Sequence, residues 1–322
     1  MYTNQQITAW LDRIHYDGDL TISKETLDAL VYLHQCAIPF ENIDVYDFHR
    51  EIPLDEAALF DKMVTRRRGG YCFETNGFFC RMLQSIGFDA RPCLCRVMFG
   101  LRKPEENFID HRATIVMLDG QRYFCEAGIG GAMPPGALQL PPERAERSAD
   151  CPESAERSAG CPERTEISAG SAECPEGTWQ EMRGECFCVR KIERNWYGTI
   201  RRVDPGRDIY DDPMGRRERL EIMFCDAAAH EIDFVTLNHF LSQSDQSKFR
   251  RERIVNLRTP DGYRALTNRT YREVIRGCRT ERELDDSEIP AVLKTKFGLE
   301  IKTEGALHVH PQRNVFCHTG SS

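Results

Sequence analysis

At Gly87-Phe88 the hydrophobic rhythm of the chain changes, and that change constrains the fold more than any other feature. Before it, apolar residues recur at helical spacing. Ile7, Trp10, Leu11 and Ile14 mark a helix over 4–15, and Leu27, Leu30, Val31 and Leu33 mark another over 24–36, with Ser23 or Thr21 as its cap. A third helix is predicted over 55–66 and a fourth begins around Cys72, while Pro39 to Val45 reads as a loop. After Gly87, residues 88–98, 111–118 and 121–126 alternate as strands, and strands resume near 184–190 and 194–203. A loop over 204–217, a helix near 228–242, an antiparallel meander (251–257, 262–268, 270–277) and a closing helix from Glu283 to Lys296 complete the reading. Pro260-Asp261-Gly262 supplies the meander with a turn. Helices followed by antiparallel strands predict an α+β protein.

Residues 142–176 have a different character. Pro142, Pro152 and Pro162 each open a ten-residue near-repeat that is poor in large apolar side chains. Such a segment cannot bury enough surface to offset its ordering entropy, so it is predicted to be a disordered surface insertion whose removal leaves function intact. The repeat interrupts the second of three predicted units. These are a helical bundle over 1–87, a β-barrel over 88–203 and an α/β lid over 204–302, followed by a loose tail over 303–322.

The net charge of −8 and the lack of any basic, aromatic-rich stretch argue against nucleic acid as a partner. No apolar run is long enough to span a membrane. The N-terminal residues lack the pattern of a signal peptide, and fourteen cysteines without one are expected to be reduced in a cytoplasmic protein. Cys93/Cys95 and Cys186/Cys188 are each one residue apart, which in a strand puts both members on one face; they read as apolar strand residues, and no metal site is expected.

The segment Arg68-Gly69-Gly70-Tyr71-Cys72-Phe73-Glu74-Thr75-Asn76 places a cysteine at the mouth of a helix, just after two glycines. Free backbone N–H groups and the helix dipole favour negative charge there, which is expected to lower the thiol pKa. The glycines allow a tight turn and close approach of another molecule. Taken alone, Cys72 could equally be a packing residue. A nucleophilic cysteine needs a base and a group to hold that base. A hairpin about Gly120 would bring His111, at the start of one strand, near Glu126, at the end of the next. His111 alone could be an ordinary surface residue, but Glu126 lies in an apolar run where a charge needs a partner.

These residues also carry a family resemblance. Ile38-Pro39-Phe40-Glu41-Asn42-Ile43-Asp44, the Cys72 segment, Arg96-Val97, His111 and Glu126-Ala127-Gly128-Ile129-Gly130 resemble, in order and spacing, the motifs of the arylamine N-acetyltransferases. Asn238-His239-Phe240 and Pro260 to Arg264 resemble later landmarks. The likeness covers residues 5–140 closely and 178–300 more loosely. One departure is Glu126, where the family usually has Asp.

The resemblance implies a helical bundle, a β-barrel and an α/β lid whose first two parts are arranged like the core of papain-like cysteine proteases. It implies Cys72, His111 and Glu126 as a catalytic triad and acetyl-CoA as co-substrate. Arylamines, arylhydroxylamines or hydrazines would be the acceptors in a ping-pong reaction. Gly128, Gly130 and Gly131 are candidates for backbone approach to CoA, or else a simple strand-ending turn. Phe40, Val97 and Ile129 are candidates for the acyl or aromatic pocket, or else core. Glu41 and Arg68 are expected to form an ion pair beneath the Cys72 loop. Competing readings are another acyltransferase or amide synthase on the same scaffold, and a catalytically silent binding protein.

Overall fold

The computed structural model describes residues 1–101, 104–142, 177–204, 206–211 and 215–301. The repeat beyond Pro142 and the tail from 302 lie outside them, so the readings of an insertion and a loose tail fall outside the described residues.

The N-terminal helices are α1 (Asn4–Ile14), α2 (Lys24–Ala37), α3 (Ile43–Tyr46), α4 (Glu56–Phe60) and α5 (Cys72–Ile86). Thr3 and Gln6 form a reciprocal capping box on α1, and Ser23 rather than Thr21 caps α2 through Thr26 N at 3.2 Å. Gly87, at φ +116°, ends α5 in the left-handed region that glycine tolerates. Trp10, Leu27, Leu30, Val31, Phe78 and Phe79 pack together as the core of these helices. Two expectations are corrected here. The segment after Pro39 is not a loop but a two-residue strand, β1 (Phe40–Glu41), followed by α3. The helix over 55–66 divides into α4 and a π-helical turn over Asp61–Thr65.

The larger sheet contains β2 (Asp89–Val97), β3 (His111–Leu118), β4 (Gln121–Cys125), β5 (Leu138–Gln139), β6 (Gln180–Met182), β7 (Glu185–Glu193), β8 (Trp196–Arg202) and β9 (Glu218–Cys225). Their order is β5-β4-β3-β2-β9-β8-β7-β6, and every pairing is antiparallel. The two edges meet through side chains, with Gln139 N donating to Gln180 Oε1 at 2.8 Å and Gln180 Nε2 to Gln139 O at 3.0 Å. The sheet is therefore barrel-like and nearly closed, around Cys93, Cys95, Ile115, Phe124, Phe187 and Phe224. Cys93 and Cys95 are packing residues in it, as their spacing suggests. β9 falls after the loop that the sequence reading placed at 204–217, and it joins the sheet between β2 and β8.

The smaller sheet has the order β1-β10-β11-β12-β13, built from β10 (Ile254–Thr259), β11 (Gly262–Thr267), β12 (Thr270–Ile275) and β13 (Cys278–Glu283). The meander is as read, with β13 as an added strand. The short β1 ties the N-terminal region into this sheet through Phe40↔Asn256 and Glu41↔Val255. Helices α6 (Asp233–Gln243), α7 (Lys248–Arg251) and α8 (Ile289–Phe297) complete the fold, so the closing helix starts six residues later than expected. Among the described residues no helix is long and apolar enough to cross a membrane.

Candidate active site

Cys72 is the first residue of α5 and is buried, at 2% exposure. The chain reaches it through a left-handed Arg67 (φ +52°), so the tight turn lies before the glycines rather than at them. The glycines answer to other parts of the same chain. A Cβ on Gly69 would stand 1.9 Å from the Pro39 carbonyl oxygen, and one on Gly70 would stand 2.8 Å from the Glu74 side chain. Gly70 also exchanges backbone hydrogen bonds with this strand, donating to Pro39 O at 3.3 Å and accepting from Glu41 N at 2.9 Å. The α5 entry is thus fastened to β1.

Buried charges lie beneath that entry. Arg68 binds Glu41 through Nη2 at 2.7 Å and Nε at 2.9 Å, the ion pair anticipated from sequence. Lys62 Nζ lies 2.7 Å from both Asp44 and Glu74, and the second Glu74 oxygen accepts Tyr71 N at 3.0 Å. Burial, with repulsion from Glu41 and Asp44, pushes the Glu74 carboxyl up to about 7 despite Lys62.

The β3–β4 hairpin turns through Asp119 (φ +51°) and Gly120 (φ +76°), a pair of left-handed residues suited to the strand twist. Its register, from Leu118↔Gln121 to Thr114↔Cys125, brings the first residue of β3 and the residue after β4 to one end. There His111 Nε2 and Glu126 Oε2 are 2.5 Å apart, both buried. With Nε2 engaged, Nδ1 remains for Cys72, which lies near enough that each group shifts the other's charge. The thiol lies 3.8 Å from Asp110 O as well. The structure therefore brings Cys72, His111 and Glu126 together.

The electrostatics differ from the sequence expectation at one point. Burial raises the Cys72 thiol, and the lowering influence comes from His111. Burial also opposes charge on His111, but Glu126 and Cys72 outweigh it and hold the imidazole well above its usual range. A protonated His111 is thus the group that favours thiolate at Cys72, rather than the helix mouth by itself.

Two residues that orient the site carry no obvious chemical label in the sequence. Asn76 Nδ2 donates to Glu126 Oε1 at 3.1 Å and to Arg112 O at 2.7 Å, while its Oδ1 accepts Ala127 N at 3.0 Å. Gly128 N adds a 2.6 Å bond to the same Glu126 oxygen. Gln35, from α2, donates to the carbonyls of Glu126 at 2.5 Å and Pro134 at 2.9 Å. Asn76 stands within the Cys72 segment, at a spacing that places it on the same face of a helix. Gln35 offered no such signal, because its partners are 91 and 99 residues away.

The glycines after Glu126 are surrounded by protein. A Cβ on Gly128 would meet Thr75 Oγ1 at 2.4 Å, one on Gly130 (φ +68°) Asn256 O at 2.4 Å, and one on Gly131 Tyr210 OH at 1.7 Å. Backbone packing and a left-handed φ thus already favour glycine at Gly130, and side chains of the chain itself crowd Gly128 and Gly131. Of the pocket candidates, Phe40 packs in the cluster that contains Cys72, Tyr71 and Phe73. Val97 and Ile129 pack instead with the interior of the larger sheet. Among the described residues no group of His, Cys, Asp or Glu side chains is arranged to hold a metal ion.

A family model described as N-acetyltransferase matches residues 23–157 and 173–306. The chain is 40% identical over 128 residues to an arylamine N-acetyltransferase of Escherichia coli K12, a match covering 40% of this chain and 45% of that protein. The chain thus spans less than half the length of that curated relative. The arylamine N-acetyltransferase structure from Salmonella typhimurium superposes with a TM-score of 0.72 at 25% identity, covering 96% of each chain. The Mycobacterium marinum arylamine N-acetyltransferase in complex with CoA gives 0.71 at 24% identity, covering 91% of this chain and 93% of that one. With most of its length matched by the family model and the fold shared end to end, the chain belongs to the arylamine N-acetyltransferase family.

Proposed function

We propose that this protein transfers an acetyl group from acetyl-CoA to arylamines, arylhydroxylamines or hydrazines through a thioester on Cys72. The observation that carries this reading is the buried Cys72–His111–Glu126 chain, with the 2.5 Å His111–Glu126 contact at its centre. A thiolate beside an imidazolium can attack the thioester carbonyl of acetyl-CoA, which exchanges one thioester for another at little thermodynamic cost. The C–S bond to CoA breaks, and CoA departs as its thiol with a proton supplied from His111. An amine that is neutral at pH 7 then attacks the acetyl-Cys72 carbonyl. The amine proton passes to His111, and Cys72 leaves as thiolate.

The oxyanion formed at each step would be met by the N–H groups at the start of α5. These precede the first intrahelical bonds, which run from Glu74 N and Thr75 N to Tyr71 O. In this reading Glu126 needs no proton of its own; it holds His111 oriented and charged. The extra methylene of glutamate relative to aspartate is accommodated by Asn76 and Gly128 N, which fix the far carboxylate oxygen. A helix-borne cysteine facing a sheet-borne histidine is also the basis for likening the N-terminal helices and the larger sheet to a papain-like core; β9 belongs to that sheet, so the core runs past residue 203 and the lid begins after Cys225.

The family and the CoA complex of the M. marinum relative support acetyl-CoA as the donor. The proposal does not depend on a CoA contact at Gly128, Gly130 or Gly131. The decisive experiment is mass spectrometry of the protein after acetyl-CoA is added without an acceptor. An acetyl adduct on Cys72 is expected, absent in Cys72→Ala and retained in Cys80→Ala. Turnover by Cys72→Ala would overturn the assignment. Cys80 is the internal control because it is buried on the same helix and burial pushes its thiol up to about 11.

A further inference from the structure

A cavity of about 520 Å³ lies where the β6–β7 turn, the end of β8 with the loop after it, and the β10–β11 and β12–β13 turns converge. Its size falls in the range of small-molecule sites, roughly 300–1,000 Å³. Its lining does not resemble that of an apolar ligand pocket, because it holds six arginines against four carboxylates.

The floor is internally satisfied to a large degree. Arg201 binds Asp208 at 2.8 Å, and Arg258 binds Glu185 at 2.7 Å and the Met133 carbonyl. Even so, Arg258 Nε is buried with no hydrogen-bond partner. The rim differs. The Arg183 guanidinium is 3.7 Å from the centroid of the Tyr32 ring and has no carboxylate partner among the described residues. Arg202 lies 3.9 Å from the centroid of the Trp179 ring and reaches Glu218 only at 3.3 Å. A guanidinium resting on an aromatic ring is held in place while its N–H edge stays available to an oxyanion. Among the described residues Arg207 and Arg276 pair with exposed Asp204 (3.5 Å) and Asp261 (3.2 Å), and their own side chains are 69% and 81% exposed. Such pairs contribute little, so exchanging them for a multiply charged ligand costs little. The Arg207 side chain also runs along Gly277, next to Arg276, with its Cδ 3.3 Å from where a Gly277 Cβ would stand.

We propose that this cleft binds a phosphate-bearing small molecule of nucleotide size, with Arg183, Arg202, Arg207 and Arg276 as its anion-contacting rim. Two sources of that chemistry are distinguishable: the phosphorylated nucleotide end of acetyl-CoA, which rests on the function proposed above, and an independent phosphate-bearing effector, which does not.

The test is calorimetric titration of the full chain, carrying Cys72→Ala so that no acyl transfer occurs. The ligands are inorganic pyrophosphate, 3′-phospho-ADP and acetyl-CoA, each at low and high salt. Pyrophosphate or 3′-phospho-ADP should bind at low salt, more weakly as salt rises. The Arg207→Ala/Arg276→Ala pair should lower the affinity at least tenfold, and Arg183→Ala should also lower it. Because all three are exposed rim residues, an unchanged melting temperature will show that the fold survives. A parallel loss of acetyl-CoA affinity assigns the cleft to the donor. Loss for the two smaller ligands with acetyl-CoA unaffected assigns it to a separate effector. Absence of binding by both smaller ligands at millimolar concentration, or binding indifferent to the arginine substitutions, overturns the proposal.

Discussion

Asn76 stands one helical turn beyond Cys72 and donates to the Glu126 carboxylate at 3.1 Å, so the helix that presents the thiol also fixes the acid that follows β4. Its three hydrogen bonds reach the carboxylate, the Arg112 carbonyl and the Ala127 amide. Asn76→Ala should release one oxygen of Glu126 and leave Ala127 N without its partner. A hydrogen bond to a charged group is worth about 1.5–3 kcal/mol, so kcat/KM should fall by roughly tenfold to a hundredfold. Steady-state kinetics with acetyl-CoA and an arylamine check this, and an unchanged kcat/KM would remove Asn76 from the site.

Glu126→Gln keeps the shape of the side chain but removes the charge that holds His111 well above its usual range. By analogy with loss of charge in hydrolase triads, activity should fall about 10³-fold to 10⁴-fold, and Glu126→Asp should cost far less. The same change should slow alkylation of Cys72 by iodoacetamide near neutral pH, because a neutral His111 no longer favours the thiolate. Stability should follow with a definite sign. A raised histidine value stabilises the folded state below the unfolded value and is lost as pH rises through the folded one. The advantage of wild type over Glu126→Gln should therefore be present at about pH 6 and shrink in alkaline solution, as read by urea unfolding.

Glu74 has a linkage of the same sign, in a lower pH range. Burial, helped by Glu41 and Asp44, raises its carboxyl to about 7, above the ordinary 4.5. Between those values the folded chain holds a proton that the unfolded chain has released, so this group's contribution falls as pH rises from about 4.5 to 7. Glu74→Gln cannot titrate and should lose less stability than wild type between pH 5 and 7.5. Parallel denaturation midpoints at the two pH values decide the matter, and equal slopes would refute it.

Gly69→Ala should be among the most damaging single-atom changes in the N-terminal half. The added carbon would stand 1.9 Å from a backbone oxygen that has no rotamer through which to yield. Gly120→Ala, at a hairpin tip with open space around it, meets only the left-handed penalty of about 1 kcal/mol. Urea unfolding should rank Gly69→Ala well below Gly120→Ala, and below wild type by more than about 3 kcal/mol.

How far the sequence led depended on the range of the interactions. Cys72 with its two glycines is a local pattern, and the His111–Glu126 pairing follows from one hairpin, so both could be read from neighbouring residues. The reason for Gly69 could not, because Pro39 lies 30 positions away in sequence, and neither could the contacts of Gln35. β9 did alternate, with Leu220, Ile222 and Phe224 on one side. Its other side carries buried Arg219 and Glu221, whose partners Asp208 and Arg201 come from elsewhere, and those charges break the apolar run expected of a central strand. The thiol expectation failed for a similar reason. A helix mouth is visible in sequence, but the extent of burial around it is not.

The contact between Gln139 and Gln180 makes the protein divisible. Residues 1–142 contain Cys72, His111, Glu126, Asn76 and Gln35, along with β1 to β5, while β6 to β13 belong to residues 177–301. The strand ladders joining these halves are β2 with β9 and β1 with β10; at the opposite seam the edges have no ladder and are hydrogen-bonded through Gln139 and Gln180. Expressed as two separate polypeptides, the halves should find each other along those two ladders and restore the proposed acetyl transfer on mixing, making a split reporter whose reacting groups all ride on one fragment.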